Sequence, residues 1–119
     1  MARARVLFVD DNDFLLTTMR LVLESSGYSV VTAATGKAAL DCMSEPFNAV
    51  VVDYELPDMD GRVLATSLRR AQPQLPIVLF SGCLDIPCSA LHDFTAVVSK
   101  GNSIQHLLTA LQELTLPTL

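Results

Sequence analysis

The chain has 119 residues, half of them hydrophobic, and a formal net charge of −5. That is enough for one domain, residues 1–119, with a real core, while its apolar runs fall short of the roughly 18 residues of a membrane span. The acidic balance excludes the clustered basic patch of a nucleic-acid surface, and the apolar stretch Val6–Val9 is too short for a signal-peptide core. A cytoplasmic protein that contacts neither membrane nor nucleic acid is expected. Cys42, Cys83 and Cys88 are odd in number and lack zinc spacing, which reads as reduced thiols.

Strands and helices alternate along the chain. Arg5–Val9 is a short apolar strand. Asn12 or Asp13 caps a helix with Leu15, Met19, Val22 and Leu23 at helical spacing, and Gly27 ends it. Tyr28–Ala33 is β-branched and reads as the second strand. Thr35 caps a shorter helix with Ala39, Leu40 and Met43 inward, closed by Pro46. The third strand, Ala49–Val52, is apolar throughout, as a strand covered on both faces must be. Gly61–Arg70 is a helix, Gln72–Pro76 a turn and Ile77–Phe80 the fourth strand. Cys83–Phe94 is the least regular part, with a fourth helix starting at about Ile86–Cys88 because proline is tolerated in a first turn. Thr95–Ser99 is the fifth strand. Ser103 caps the last helix, where Ile104, Leu107, Leu108, Leu111 and Leu114 recur at helical spacing. This alternation predicts an α/β fold, a parallel sheet with helices on both faces.

In such a sheet the carboxyl ends of the strands share one edge, where ligands bind. Asp10 and Asp11 follow the first strand, Asp53 the third, Ser81 the fourth and Lys100 the fifth. Seven of the thirteen acids, Asp10, Asp11, Asp13, Asp53, Glu55, Asp58 and Asp60, fall in two short windows. Close carboxylates repel unless something neutralises them. Mg²⁺ takes oxygen ligands and is typically held by one or two carboxylates plus phosphate oxygens. A carboxylate can itself carry a phosphoryl group, and phosphoryl transfer is mostly positioning and charge stabilisation. The set is therefore chemically suited to phosphoryl transfer. Asp58 and Asp60 read as a solvated loop residue and a helix-start carboxylate, and His92 and His106 as surface or interface residues.

Over its whole length the chain resembles the receiver domain of two-component response regulators. The resemblance rests on VLFVDDND at residues 6–13, VVVDYELPDMDG at 50–61, VLFSG at 78–82 and VVSK at 97–100. It implies a CheY-like, flavodoxin-like (βα)5 three-layer sandwich with strand order 2-1-3-4-5. It also implies that Asp53 is the phosphoacceptor, fed by a phosphohistidine on a histidine kinase or phosphotransfer protein. Mg²⁺ would be held by Asp11 directly, by Asp10 partly through water, by Asp53 and by the Glu55 backbone carbonyl. Ser81 would be the switch hydroxyl and Lys100 the partner of the phosphoryl oxygens. The domain would be a signalling module rather than an enzyme, losing its phosphate by self-catalysed hydrolysis. Output would pass to a downstream protein target or an output domain through the face of the fourth helix, fifth strand and fifth helix, which could also form a homodimer.

Two positions depart from the family. Val97 stands where an aromatic is usual, and Gly101 where a proline joined by a cis bond is usual. A non-proline cis bond costs about 2.5–4 kcal/mol, so a trans bond is expected after Lys100. These departures support an alternative, a degenerate receiver that binds partners without phosphorylation. A third reading, a phosphatase using Asp11 as nucleophile, rests on Asp11-Asn12-Asp13, but Leu15 stands where Thr or Val is expected and there is no room for a cap domain.

Overall fold

The computed structural model describes residues 3–82, 92–101 and 104–115. Five strands, β1 (Arg5–Val9), β2 (Ser29–Ala33), β3 (Ala49–Val52), β4 (Ile77–Ser81) and β5 (Ala96–Ser99), form one sheet in the order β2-β1-β3-β4-β5. Every pairing is parallel. The helices are α1 (Asp13–Ser25), α2 (Gly36–Asp41), α3 (Gly61–Ala71) and a C-terminal helix, Ile104–Thr115. Among the described residues no helix is long and apolar enough to cross a membrane.

Val6–Val9 of β1, all of β3 and Ile77–Phe80 of β4 are apolar because both faces of the sheet are covered. Val6, Phe8, Ala49, Val51, Val78 and Phe80 face one core, filled by Leu16, Met19 and Leu23 of α1 and by Leu107 and Leu111 of the C-terminal helix. The alternate residues Leu7, Val9, Val50, Val52, Ile77 and Leu79 face a second core with Ala39 of α2 and Leu64, Ala65 and Leu68 of α3. Successive strand side chains point to opposite faces, so one register serves both cores. The Phe8 and Phe80 rings meet edge to face, centroids 6.1 Å apart, an arrangement the aromatic quadrupoles favour.

The helix starts follow from their caps. Asn12, not Asp13, caps α1, its side chain accepting the Leu15 N–H at 3.1 Å. Thr35 caps α2 through the Ala38 N–H at 3.0 Å, and Asp60 caps α3 through the Val63 N–H at 2.8 Å. In α1 Met19 and Leu23 are buried as predicted, but the buried residue of the first turn is Leu16, with Leu15 only half-buried. Tyr28 belongs to the turn rather than to β2. Its N–H returns to the Leu23 carbonyl at 3.1 Å. α2 stops at Asp41 in a turn through Cys42–Met43 rather than running on towards Pro46. β4 and α3 each extend one residue further than expected, while β5 starts one residue later. The fourth helix expected from Ile86–Cys88, the Ser103 cap, Cys83 and Cys88 lie outside the described residues. Phe94 is buried in the second core. Among the described residues no peptide bond is cis, so Lys100–Gly101 is trans, as expected.

The edge of the sheet where the strands begin is cross-stitched by side chains. Arg5 pairs with Glu45 at 2.6 Å and stacks over the Phe47 ring, while its N–H donates to Asn48 Oδ1 at 2.7 Å. Gln72 accepts the Phe47 N–H and donates to the Glu45 carbonyl. Thr95 Oγ1 accepts from both the Ile77 N–H and the Arg69 guanidinium at 3.0 Å.

Gly61 marks the closest backbone approach. Its N–H donates to the Tyr54 carbonyl at 2.6 Å. A Cβ here would stand 2.7 Å from the Asp53 carbonyl oxygen and 2.9 Å from Tyr54 Cα. Both neighbours are backbone and cannot rotate away. Gly61→Ala is expected to cost about 1–3 kcal/mol, read as a lower urea midpoint; an unchanged midpoint would show that the β3–α3 turn is slack.

Candidate functional site

Three of the site residues hang from the last hydrogen bond of a strand. The Asp10 N–H donates to the Ala33 carbonyl at 3.1 Å, the Asp53 N–H to the Val9 carbonyl at 3.0 Å, and the Lys100 N–H to the Ser81 carbonyl at 3.0 Å. Ladder bonds of adjacent strands thus set the positions of groups 43 and 47 residues apart in sequence. The carboxyl-edge convergence expected from the alternating pattern is what the sheet provides.

Asp10, Asp11 and Asp53 each offer a carboxylate oxygen, and these oxygens lie within 4.8 Å of one another. Asp10 and Asp53 are buried, Asp11 exposed. The Lys100 ammonium sits between the two buried carboxylates, 2.7 Å from Asp10 Oδ2 and 3.4 Å from Asp53 Oδ2. The other Asp10 oxygen, Oδ1, accepts the Asn12 N–H at 2.9 Å. Asp53, Glu55, Ser81, Gly82 and Lys100 line an open cleft of about 380 Å³ above this cluster. Ser81 is buried at its wall. All six residues singled out in the sequence are therefore brought together at one end of the sheet.

Lys100, read from the sequence as a partner of phosphoryl oxygens, lies here against the carboxylates themselves. Burial pushes the Asp53 carboxyl above its ordinary value; Lys100 pulls it back, and the charge of Asp10 adds to the rise. For Lys100 burial acts downward, but the hydrogen bond and charge of Asp10, with those of Asp53, leave the ammonium raised. Three carboxylates against one ammonium leave excess negative charge and oxygen-only donors, the set a hard divalent cation such as Mg²⁺ prefers.

Sequence reasoning missed one residue. Asp58, read as a solvated loop acid, reaches across to α2. Its two oxygens accept the Gly36 and Lys37 N–H groups, each at 2.9 Å. Those bonds hold its carboxyl below the ordinary range. The one available hint is that α2 carries no acid in its own first turn. The other loop acid, Asp60, is the helix-start carboxylate expected.

The raised Asp53 carboxyl sets a pH dependence. Between its unfolded value near 3.8 and its raised folded value, the native state binds a proton that the unfolded chain has released. Stability therefore falls as pH rises through that window, and the cost persists above it. In metal-free buffer Asp53→Asn is expected to raise the melting temperature at pH 7 by a few degrees. The gap to wild type should close as pH falls below about 3.8. A gap independent of pH would assign the gain to something other than the buried charge.

Three comparisons place the chain among known proteins. The family model of the response regulator receiver domain matches residues 6–112. The chain is 36% identical over 85 residues to the transcriptional regulatory protein GlrR of Escherichia coli (strain K12), covering 71% of this chain and 19% of that protein. It is 32% identical over 120 residues to the sensor kinase CckA of Brucella abortus (strain 2308), covering 93% of this chain and 12% of that protein. The chain thus spans a small part of the length of the curated relatives it matches. Its fold is also that of the response regulator TrrA from Thermotoga maritima, crystallised in complex with Mg²⁺-BeF. That likeness has a TM-score of 0.87 at 24% identity and covers 93% of this chain and 98% of the other. With this match, fold and carboxylate cluster, the chain belongs to the response regulator receiver domain family of two-component signalling.

Proposed function

We propose that Asp53 is the phosphoacceptor of a receiver domain occupying residues 1–119. The observation that carries this reading is the close carboxylate cluster with the Lys100 ammonium beside it, at the floor of an open cleft. An Asp53 carboxylate oxygen attacks the phosphorus of a phosphohistidine on a histidine kinase or phosphotransfer protein. The P–N bond breaks and its electron pair leaves with the imidazole nitrogen. The acyl phosphate is later lost when water attacks phosphorus and the Asp53 carboxylate leaves, a hydrolysis that the domain catalyses itself.

Asp11, exposed, and Asp10, buried beneath it, would hold Mg²⁺ with Asp53 and the Glu55 backbone carbonyl. Asp11 would bind directly and Asp10 partly through water. When bound, the ion supplies positive charge that neutralises the phosphoryl oxygens. Lys100 then trades part of its contact with Asp53 for those oxygens, and the Ser81 hydroxyl donates to them. The phosphoryl group brings roughly −1.5 to −2 charges to the cleft, drawing Ser81 inward and moving the segment that follows β4. Output passes to a downstream protein target or output domain through the face of β5 and the C-terminal helix, which also serves any homodimer. The domain works in the cytoplasm.

The test is intact mass after incubation with Mg²⁺ and a small phosphodonor, for wild type and Asp53→Asn. One phosphoryl adduct that needs Mg²⁺ and is missing in the variant is expected. No adduct on a folded wild type that binds Mg²⁺ would favour the phosphorylation-independent adaptor instead, the reading that Val97 and Gly101 support.

A further inference from the structure

Residues 53–60, which join β3 to α3, carry two groups of the proposed site, Asp53 and the Glu55 carbonyl. Near the ends the segment is held by the Asp53 ladder bond, by the Glu55–Asp60 bridge and by the Gly61 N–H on the Tyr54 carbonyl. Its tip is closed by the Leu56 N–H on the Met59 carbonyl at 3.2 Å. Nothing in these bonds ties the tip to the rest of the molecule. Asp58 does so, with its carboxylate forked over the Gly36 and Lys37 N–H groups.

Two features make the tie specific. A carboxylate accepting two backbone N–H groups forms charge-assisted bonds stronger than neutral ones. The acceptor also faces the positive end of a helix that has no acid of its own there. Met59, the next residue, lies against Gly36 so closely that a Cβ on Gly36 would come within 2.5 Å of its sulfur. Charge and packing thus grip the same turn of α2 from adjacent residues of the loop.

We propose that Asp58 is a positioning residue for the metal-binding site, holding the loop so that the Glu55 carbonyl and Asp53 face Asp10 and Asp11 before the cation arrives. This rests on the reading of Asp53, Glu55 and Mg²⁺ given above. A loop ordered in advance loses less conformational entropy on binding, and the saving reaches the affinity. Asp58 touches no proposed ligand and acts only through the backbone between positions 55 and 58.

A role confined to stabilising α2 would look similar in a melting curve, so the test compares two caps of the same helix. Asp58→Ala cuts the loop from α2. Thr35→Ala removes the α2 cap that the Ala38 N–H uses and leaves the loop tied. Mg²⁺ affinity is measured by calorimetric titration of the chain without phosphodonor, beside the melting temperature. Both variants are expected to melt lower. Asp58→Ala is expected to weaken Mg²⁺ binding about tenfold, the lower end of the loss on removing an outer-shell partner, while Thr35→Ala binds as wild type. Asp58→Asn, which keeps one acceptor, should fall between and serves if the alanine variant does not fold. Wild-type affinity in both Asp58 variants, or equal weakening by Thr35→Ala, would overturn the proposal alone. A wild type that binds no Mg²⁺ would overturn the reading of the site and this inference with it.

Discussion

The arrangement depends on one electrostatic bargain: two buried carboxylates, Asp10 and Asp53, share a single ammonium, that of Lys100. An isolated buried carboxylate is costly and ordinarily takes up a proton. Here the pair is tolerable because Lys100 arrives from a third strand. Its place is fixed by the bond from its own N–H to the Ser81 carbonyl. The ammonium stands close to Asp10 and farther from Asp53, so the two acids are not equivalent. Asp10 is committed to the lysine and to the Asn12 N–H. Asp53 is the less satisfied of the two and opens on the cleft.

The two acids end neighbouring strands. β1 lies between β2 and β3, and Asp10 at its end is the more deeply buried of the pair. β3 ends one strand nearer the β4–β5 side, where the cleft opens. The apolar residues Val6–Val9, Ala49–Val52 and Ile77–Phe80 of β1, β3 and β4 do more than fill two cores. They hold the strand ends rigidly enough for oxygens from distant residues to converge. Packing on both faces of the sheet is therefore the mechanical condition for the chemistry at its edge.

Most of this was legible from the residues. The strand Ala49–Val52, apolar throughout, required cover on both faces, and a parallel sheet then required Asp10, Asp11, Asp53, Ser81 and Lys100 to share an edge. What could not be read was local geometry set by tertiary contact. Leu15 and Leu16 are equally apolar, and only the docking angle of α1 decides which is buried. Residues 42–45 carry no glycine or proline to announce the end of α2, so the stop at Asp41 was overshot towards Pro46. The partners of Asp58, Gly36 and Lys37, lie some twenty residues away and are backbone groups, which carry no signature in side-chain identity. The pairing of Lys100 with Asp10 was hidden for a related reason. Sequence places charges at strand ends but not the order in which they neutralise one another.

The two edges of the sheet are built differently. Where the strands begin, Arg5, Glu45, Asn48, Gln72 and Thr95 bind neighbouring loops together with side chains. Where they end, the groups are mutually repelling acids with one cation among them. The sheet is in effect a cantilever, clamped at its base and loaded at its tip. Packing on both faces fixes the strand ends against one another, while the acids they carry repel. A domain so mounted confines its repelling charges to one rim of the sheet and keeps them apart from both packed cores.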